Sequence, residues 1–297
     1  MKRLFLIIPR LTVSDANALS SSLTIGFPAI TAWLGFVHKM ERELRREHIE
    51  ISFPNLGIVI HDFDLAVFKG VGDYNNSIVG KAYPLSKEGE RSSFIEEARC
   101  NLNVSLAIEC QYAGSRPFSE IGEIVQHILH SKMKLAGGDI QKSQSPYLVG
   151  IEDNEEGYMS IIGKIPFGFI PIERRDLLKN VAAEDNLDEL LDSLAVSNFS
   201  EIDADEDAEK RVSWNSKRKH PGWIVPLVTG YQGLGQLYDA GETLNTRDSS
   251  TPHRFVESIV TLGEFVSPYS LSSIDDMLWS YDYDSENSQY LCRNQSV

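Results

Sequence analysis

Within the first 146 residues, two segments repeat their apolar residues every three to four positions. They are set among four segments that read as strands, in the order strand, helix, strand, strand, helix, strand. Side chains share a helix face at the first spacing and a strand face at a spacing of two, so this order limits how the apolar faces can be covered together. In the first helical segment Ile30, Trp33, Val37, Met40 and Leu44 form one stripe, with Lys39, Arg42, Glu43, Arg45 and Arg46 mostly opposite. That assigns Trp33, Val37 and Met40 to the core and leaves His38 as a structural histidine. Pro28 suits a first helical turn, and its ring holds Phe27 extended. In the second, "SEIGEIVQHILHSK", Ile121, Ile124, Val125, Ile128 and Leu129 share a face behind Ser119, a candidate cap. The strands are Arg3–Leu11, "LGIVIHDFDLAVF", "NLNVSLAIEC" and "MKLAGGDI".

This order predicts an α+β fold: a ferredoxin-like core over residues 1–146, the arrangement that RNA-recognition-motif domains also use. The Gly-, Asn- and Lys-rich stretch near 69–92 reads as the tip of a β-hairpin thumb projecting from the sheet. Residues 147–212 read as an inserted helical, acidic segment, with "ERRDLLKNV" and "NLDELLDSLAV" helix-like ahead of "EIDADEDAEK". Residues 213–297 read as a C-terminal region of short strands, turns and a helix that packs on the core.

The net charge of −15 weighs against a nucleic-acid partner until its distribution is considered. Residues 1–150 carry 16 basic and 16 acidic side chains, residues 151–210 carry 5 and 17, and residues 211–297 carry 7 and 10. The acidic excess is local, and the rest of the chain is free to present a basic face. Cys100, Cys110 and Cys292 are odd in number and contain no CxxC pair, which suits reduced thiols in a cytoplasm. No apolar run reaches the length of a membrane span, and "LFLIIP" is followed by Arg10 in place of a small-residue cleavage site.

Two regions carry candidate chemistry. "RLTVSDANALSSSLTIGFP" reads as a long loop of small hydrogen-bonding residues entering a helix N-terminus, where free N–H groups favour an anion. Arg10, Asn17, Ser20, Ser21 and Ser22 there suit a single-stranded RNA cradle, and equally a self-satisfied set of Asx and Ser turns. "KRKH", Arg247, Arg254 and Phe255 join cations to an aromatic ring, which suits RNA, with a solvated charge run as the alternative for Lys217–Lys219. Lys134 and Gly137 stand where a glycine-containing strand lets RNA approach the sheet. No cofactor or metal is implied. Glu123, His127 and His130 lack further ligands, and "GYQGLG" has the wrong glycine spacing for GxGxxG.

"PRLTVSDANALSSSLTIGFPAITAWLGFVH", "KLAGGDI", "HPGWIVPLVTGY" and "TPHRFVES…GEFVSP" resemble the Cas five family of CRISPR-associated proteins, subtype F, from about Leu4 to Pro268. The stretch from Glu152 to Lys210 shares least. The resemblance implies a non-catalytic RNA-binding subunit of the type I-F surveillance (Csy, or Cascade) complex, active in antiviral defence. Such a subunit caps the 5′ handle of the crRNA, pairs with the large subunit and meets the terminal backbone subunit. It reaches target DNA only through the assembled complex and binds no membrane. It also favours the cradle reading, with Arg10, Asn17, Ser20, Ser21 and Ser22 on the handle and Arg247, Arg254 and Phe255 closing over it. Two alternatives are a metal-independent endoribonuclease that processes precursor crRNA, and a protein–protein adaptor whose acidic face docks a basic partner.

Overall fold

The computed structural model describes residues 2–79, 88–91, 97–178, 186–202, 212–246 and 248–294. The first half comprises β1 (Lys2–Asn17), a small hairpin of β2 (Leu19–Ser21) and β3 (Thr24–Ile25), α1 (Ile30–Arg46), β4 (Ile51–Ser52) and β5 (Leu56–Leu65). It continues with the pair β6 (Val67–Phe68) and β7 (Ser77–Ile78), β8 (Arg99–Tyr112), α2 (Phe118–Lys132), β9 (Lys134–Leu135), β10 (Gly138–Lys142) and β11 (Tyr147–Glu152). The second half comprises α3 (Glu155–Ile162), β12 (Ile170–Glu173), α4 (Asn186–Leu194), β13 (Val196–Ile202) and β14 (Val212–Arg218). β15 (Ile224–Tyr238), β16 (His253–Val266), β17 (Leu278–Asp284) and β18 (Gln289–Asn294) complete it.

The architecture is mixed α and β, dominated by one large sheet. Its spatial order is β12, β16, β15, β18, β17, β5, β8, β1, β10, β9, with β11 also on β1 and β4 on β8. In the first half β5, β8, β1 and β10 are successive neighbours, each antiparallel to the next. Strand β1 explains the run "LFLII". Leu6 and Ile8 point into the layer under α1 and α2, while Phe5 and Ile7 point to the opposite face and pack with Tyr158 and Ile161 of α3. A strand buried on both faces reads as continuous apolar sequence because neither side chain direction meets water.

The helices pack where their stripes predict. Trp33, Val37, Met40 and Leu44 of α1 and Ile121, Val125, Ile128 and Leu129 of α2 join one core with Val104 and Leu106 of β8. Trp33 is fully buried, stacks on Phe27 at 5.2 Å and 13°, and donates its indole N–H to the Pro28 carbonyl at 3.3 Å. The entry to α1 is therefore held by packing, since its cap residue Ala29 makes no side-chain cap bond. The two halves meet at β17 and β5, where Leu278 pairs with Gly57 and Trp279 with Leu56. The Trp279 indole beside this joint donates to the Pro171 carbonyl of β12 at 2.9 Å. All three cysteines are unpaired and buried, and burial pushes the thiols of Cys100 and Cys292 up to about 12.

Several local expectations change. The stretch expected as an open loop from Arg10 is strand as far as Asn17, because Leu11, Val13 and Ala16 continue the buried alternation across two bulges. Arg10 and Asp15 hold positive φ angles of 51° and 55° at those bulges. Ser119 lies inside α2, whose N-cap is Pro117. "MKLAGGDI" is two strands joined by a tight turn, with positive φ at Ala136 and Gly137. Within 213–297 the short strands and helix expected are instead the long hairpin β15–β16 and the pair β17–β18. Arg175–Leu178 is a single 3₁₀ turn, while Asn186–Leu194 is helical as the pattern predicts. Of the thumb expected near 69–92, residues 80–87 and 92 lie outside the described residues, as does 203–211 of the acidic run.

Trp33→Ala removes a fully buried ring and its stack on Phe27, and is expected to lower stability by about 3–5 kcal/mol. Urea unfolding measures it, and a loss below about 1 kcal/mol would show that the α1 entry is held by something else.

Candidate nucleic-acid interface

Four of the sequence-predicted residues meet at one cleft. Asn17 at the end of β1, Ser20 of β2, Lys134 of β9 and Gly137 of the following turn line a cavity of about 650 Å³. Its opposite wall is the first half of α1, with Ala29, Thr31, Gly35 and Lys39, and Tyr231 and Tyr290 from β15 and β18 close it. Close packing sets this up. Gly138 lies so near β1 that a Cβ there would stand 2.6 Å from the Ser14 carbonyl oxygen and 2.7 Å from the Ala16 nitrogen. The Ala136–Gly137 turn is thereby drawn against Asn17, whose backbone N–H donates to the Ala136 carbonyl at 2.8 Å.

The polar side chains of the serine segment are engaged inside the hairpin. Ser20 donates to the Phe27 carbonyl at 2.6 Å, and Ser21 pairs with Thr24 at 2.8 Å and accepts from the Leu23 N–H. Asn17 both donates to and accepts from the backbone of Leu19. These oxygens can accept from a ligand, whereas an anion needs donors. The donors come from elsewhere: the uncapped N-terminus of α1, Lys39 and Lys134. Lys134 is paired with Asp139 at 2.8 Å with both side chains exposed, a pair that a phosphate can replace at small cost. Among the described residues no carboxylate lines this cleft. The Tyr231 and Thr31 hydroxyls lie 3.3 Å apart, and Tyr290 stacks on Tyr281, itself met edge-on by His38.

The other predicted residues sit apart from this cleft. Ser22 is at the exposed turn of the β2–β3 hairpin. Arg254 lies on β16 against Gly233, with its buried Nε and Nη1 unpartnered among the described residues, and exposed Phe255 meets Tyr238 edge-on at 5.8 Å. Arg247 lies outside the described residues. Among the described residues no group of three or more His, Cys, Asp or Glu could hold a metal ion, and His130 is engaged by Gln126.

Arg10 faces a different neighbourhood. Its backbone N–H donates to the Ser105 hydroxyl at 3.1 Å. Ser105 lies 2.7 Å from His61 Nε2, and His61 Nδ1 lies 2.8 Å from the Phe167 carbonyl. A carbonyl only accepts, so Nδ1 carries the proton, Nε2 accepts, and the Ser105 hydroxyl donates to it. This relay ties the β1 bulge to the segment carrying Phe167 and Phe169, which also exchanges two backbone hydrogen bonds with Ile60. It presents the Phe169 ring to a second cleft, of about 400 Å³, that shares Ser20 with the first.

Sequence reading missed Lys39, Thr31, Tyr231 and Tyr290. Ala29, Ala32 and Gly35 do form a stripe of small residues on α1 leading to Lys39, a signal of close approach on that face. Nothing local marks the two tyrosines, which come from strands distant in sequence.

Burial holds His61 and His38 below the ordinary imidazole value. In the unfolded chain both titrate at about 6.5, so on acidification the unfolded state binds protons first. Their stabilising contribution is complete above that value and is lost as pH falls below it toward the folded values. Thermal midpoints are expected to fall between about pH 7 and 5, less steeply in His61→Gln. An identical slope in the variant would show that His61 charges freely in the folded state.

Comparison with known proteins supplies the family. The family model described as CRISPR-associated protein (Cas_Csy2) matches residues 6–292. A protein of Pseudomonas aeruginosa (strain UCBPP-PA14) named CRISPR-associated protein Csy2 is 31% identical, over 96% of this chain and 93% of its own length. With both halves of the sheet inside the matched span, the chain belongs to the Csy2 family of CRISPR-associated proteins, which points to a subunit of the type I-F Csy complex.

Proposed function

We propose that this chain is the non-catalytic, RNA-binding subunit of the type I-F surveillance complex, which caps and holds the 5′ handle of the crRNA. The observation that carries the reading is the cleft between the N-terminal half of α1 and the Ala136–Gly137 turn. It joins two lysines and an uncapped helix N-terminus to two tyrosine rings, with no carboxylate on its walls among the described residues. Cations and N–H groups suit phosphodiesters, and aromatic rings suit unpaired bases. The β5, β8, β1, β10 order with α1 and α2 on one face fits a ferredoxin-like core, in keeping with a member of the Cas five group. In this reading the subunit pairs with the large subunit and meets the terminal backbone subunit, in the cytoplasm. Among the described residues no helix is long and apolar enough to cross a membrane.

The working contacts differ in weight from the sequence expectation. Lys39 and Lys134 hold phosphate in the cleft, Arg254 serves as a peripheral contact beside Tyr231's strand, and Arg10 acts through the backbone it anchors. Lys39→Ala with Lys134→Ala is expected to weaken single-stranded RNA binding and to reduce the slope of log affinity against log salt by about 1.4, two phosphate contacts' worth. Salt titration of RNA affinity measures this, and an unchanged slope would reject the cleft. Repeat RNA incubated with the protein in EDTA is expected to stay intact, whereas specific cutting would favour the endoribonuclease.

A further inference from the structure

The second cleft is chemically unlike the first. Phe169 meets Trp223 at 5.8 Å and 76°, Trp223 meets Phe265 at 5.1 Å and 65°, and Phe27 and Phe63 complete the aromatic lining. Edge-to-face packing of this kind leaves ring faces open, and Trp223 and Phe169 remain 53% and 39% exposed. Its charged side chain is Asp62, which is exposed and has no hydrogen-bond or salt-bridge partner among the described residues. His61 also lines the cleft, yet both its ring nitrogens are engaged by Ser105 and Phe167. A phosphate meets a lone carboxylate and no cation here, so the cleft disfavours the backbone of a nucleic acid. A flat, neutral ring with N–H groups on its edge fits both features: faces for the aromatic rings, donors for Asp62.

We propose that this cleft is a base pocket for a single unpaired nucleobase carrying an exocyclic amino group, with cytosine favoured over uracil. Cytosine offers its N4 amino donor to Asp62, whereas uracil presents the O4 acceptor and faces carboxylate repulsion. The two clefts share Ser20 and are divided by the β2–β3 hairpin, so a backbone held in the cationic cleft can lay an adjacent base into the aromatic one. The inference rests on the RNA-binding reading of that neighbouring cleft. The Arg10–Ser105–His61–Phe167 relay gains a role: it positions Phe169 as one wall of the pocket.

The test uses the full chain and two fluorescent single-stranded probes, octamers of cytidylate and of uridylate, read by anisotropy. The cytidylate octamer is expected to bind roughly ten-fold more tightly. Asp62→Asn should bring the ratio close to one, because the amide can donate to uracil. Trp223→Ala should weaken the cytidylate octamer by roughly ten-fold, while Trp223→Phe, which keeps a ring, should retain most of its binding and controls for misfolding. Lys39→Ala should weaken both probes alike and leave their ratio intact. Equal binding of both probes, insensitive to Asp62→Asn and Trp223→Ala but weakened by Lys39→Ala, would overturn the pocket and leave the cationic cleft standing. Failure of both probes to bind the unaltered protein would overturn the RNA reading and the pocket with it. Variants that keep RNA affinity and its base preference but no longer co-purify with a protein subunit would overturn the proposal in favour of a protein side chain.

Discussion

Strand β1 is hydrogen-bonded along both edges and buried on both faces. On one side it pairs with β8 from Leu4 to Asn17, and on the other with β11 and then β10. Every later feature inherits that constraint. A strand so enclosed cannot slip register, since a one-residue shift would turn each side chain to the wrong core. The adjustment is confined to two bulges, where Arg10 and Asp15 take left-handed backbone angles. The bulges keep Leu11, Val13 and Ala16 under the helices and carry the strand end to Asn17, where the cationic cleft begins.

The second half completes the surface. Its strands join the first sheet through the short β17–β5 pairing, and from that position β15 and β18 bring Tyr231 and Tyr290 opposite α1. Trp223 and Phe265 arrive beside the Phe169 segment by the same placement. Neither cleft exists in one half alone. Each joins Ser20 of β2 and its neighbours in the first half to lining residues of the second half more than a hundred positions away, a common place for binding sites because independent surfaces meet there.

Charge follows position in the same way. The chain carries a net −15, yet among the described residues the larger cleft has lysines and no carboxylate, while the smaller has a carboxylate and no lysine or arginine. Adjacent clefts of opposite character suit a ligand that is itself divided, with anionic links and neutral rings. The sum of charges says nothing about this, since interactions at contact range outweigh distant screened ones.

Much of the fold is legible in the chain. The stripe from Ile30 to Leu44, the buried run Phe5–Ile8 and the alternation through Leu102–Cys110 are local patterns whose period follows directly from backbone geometry. Asn17, Ser20, Lys134 and Gly137 are legible too, because a helix entry and a glycine turn leave local marks. What tertiary structure decided was the company these residues keep. Whether "RLTVSDAN" is loop or strand depended on its receiving partners on both edges, and the serine hydroxyls turned inward to a hairpin that local reading cannot distinguish from an open cradle. Tyr231, Tyr290 and Trp223 became lining residues only through pairings between strands far apart in sequence. A period is fixed by the chain's own geometry, whereas a neighbour across a cleft is fixed by how separate elements bury their faces together.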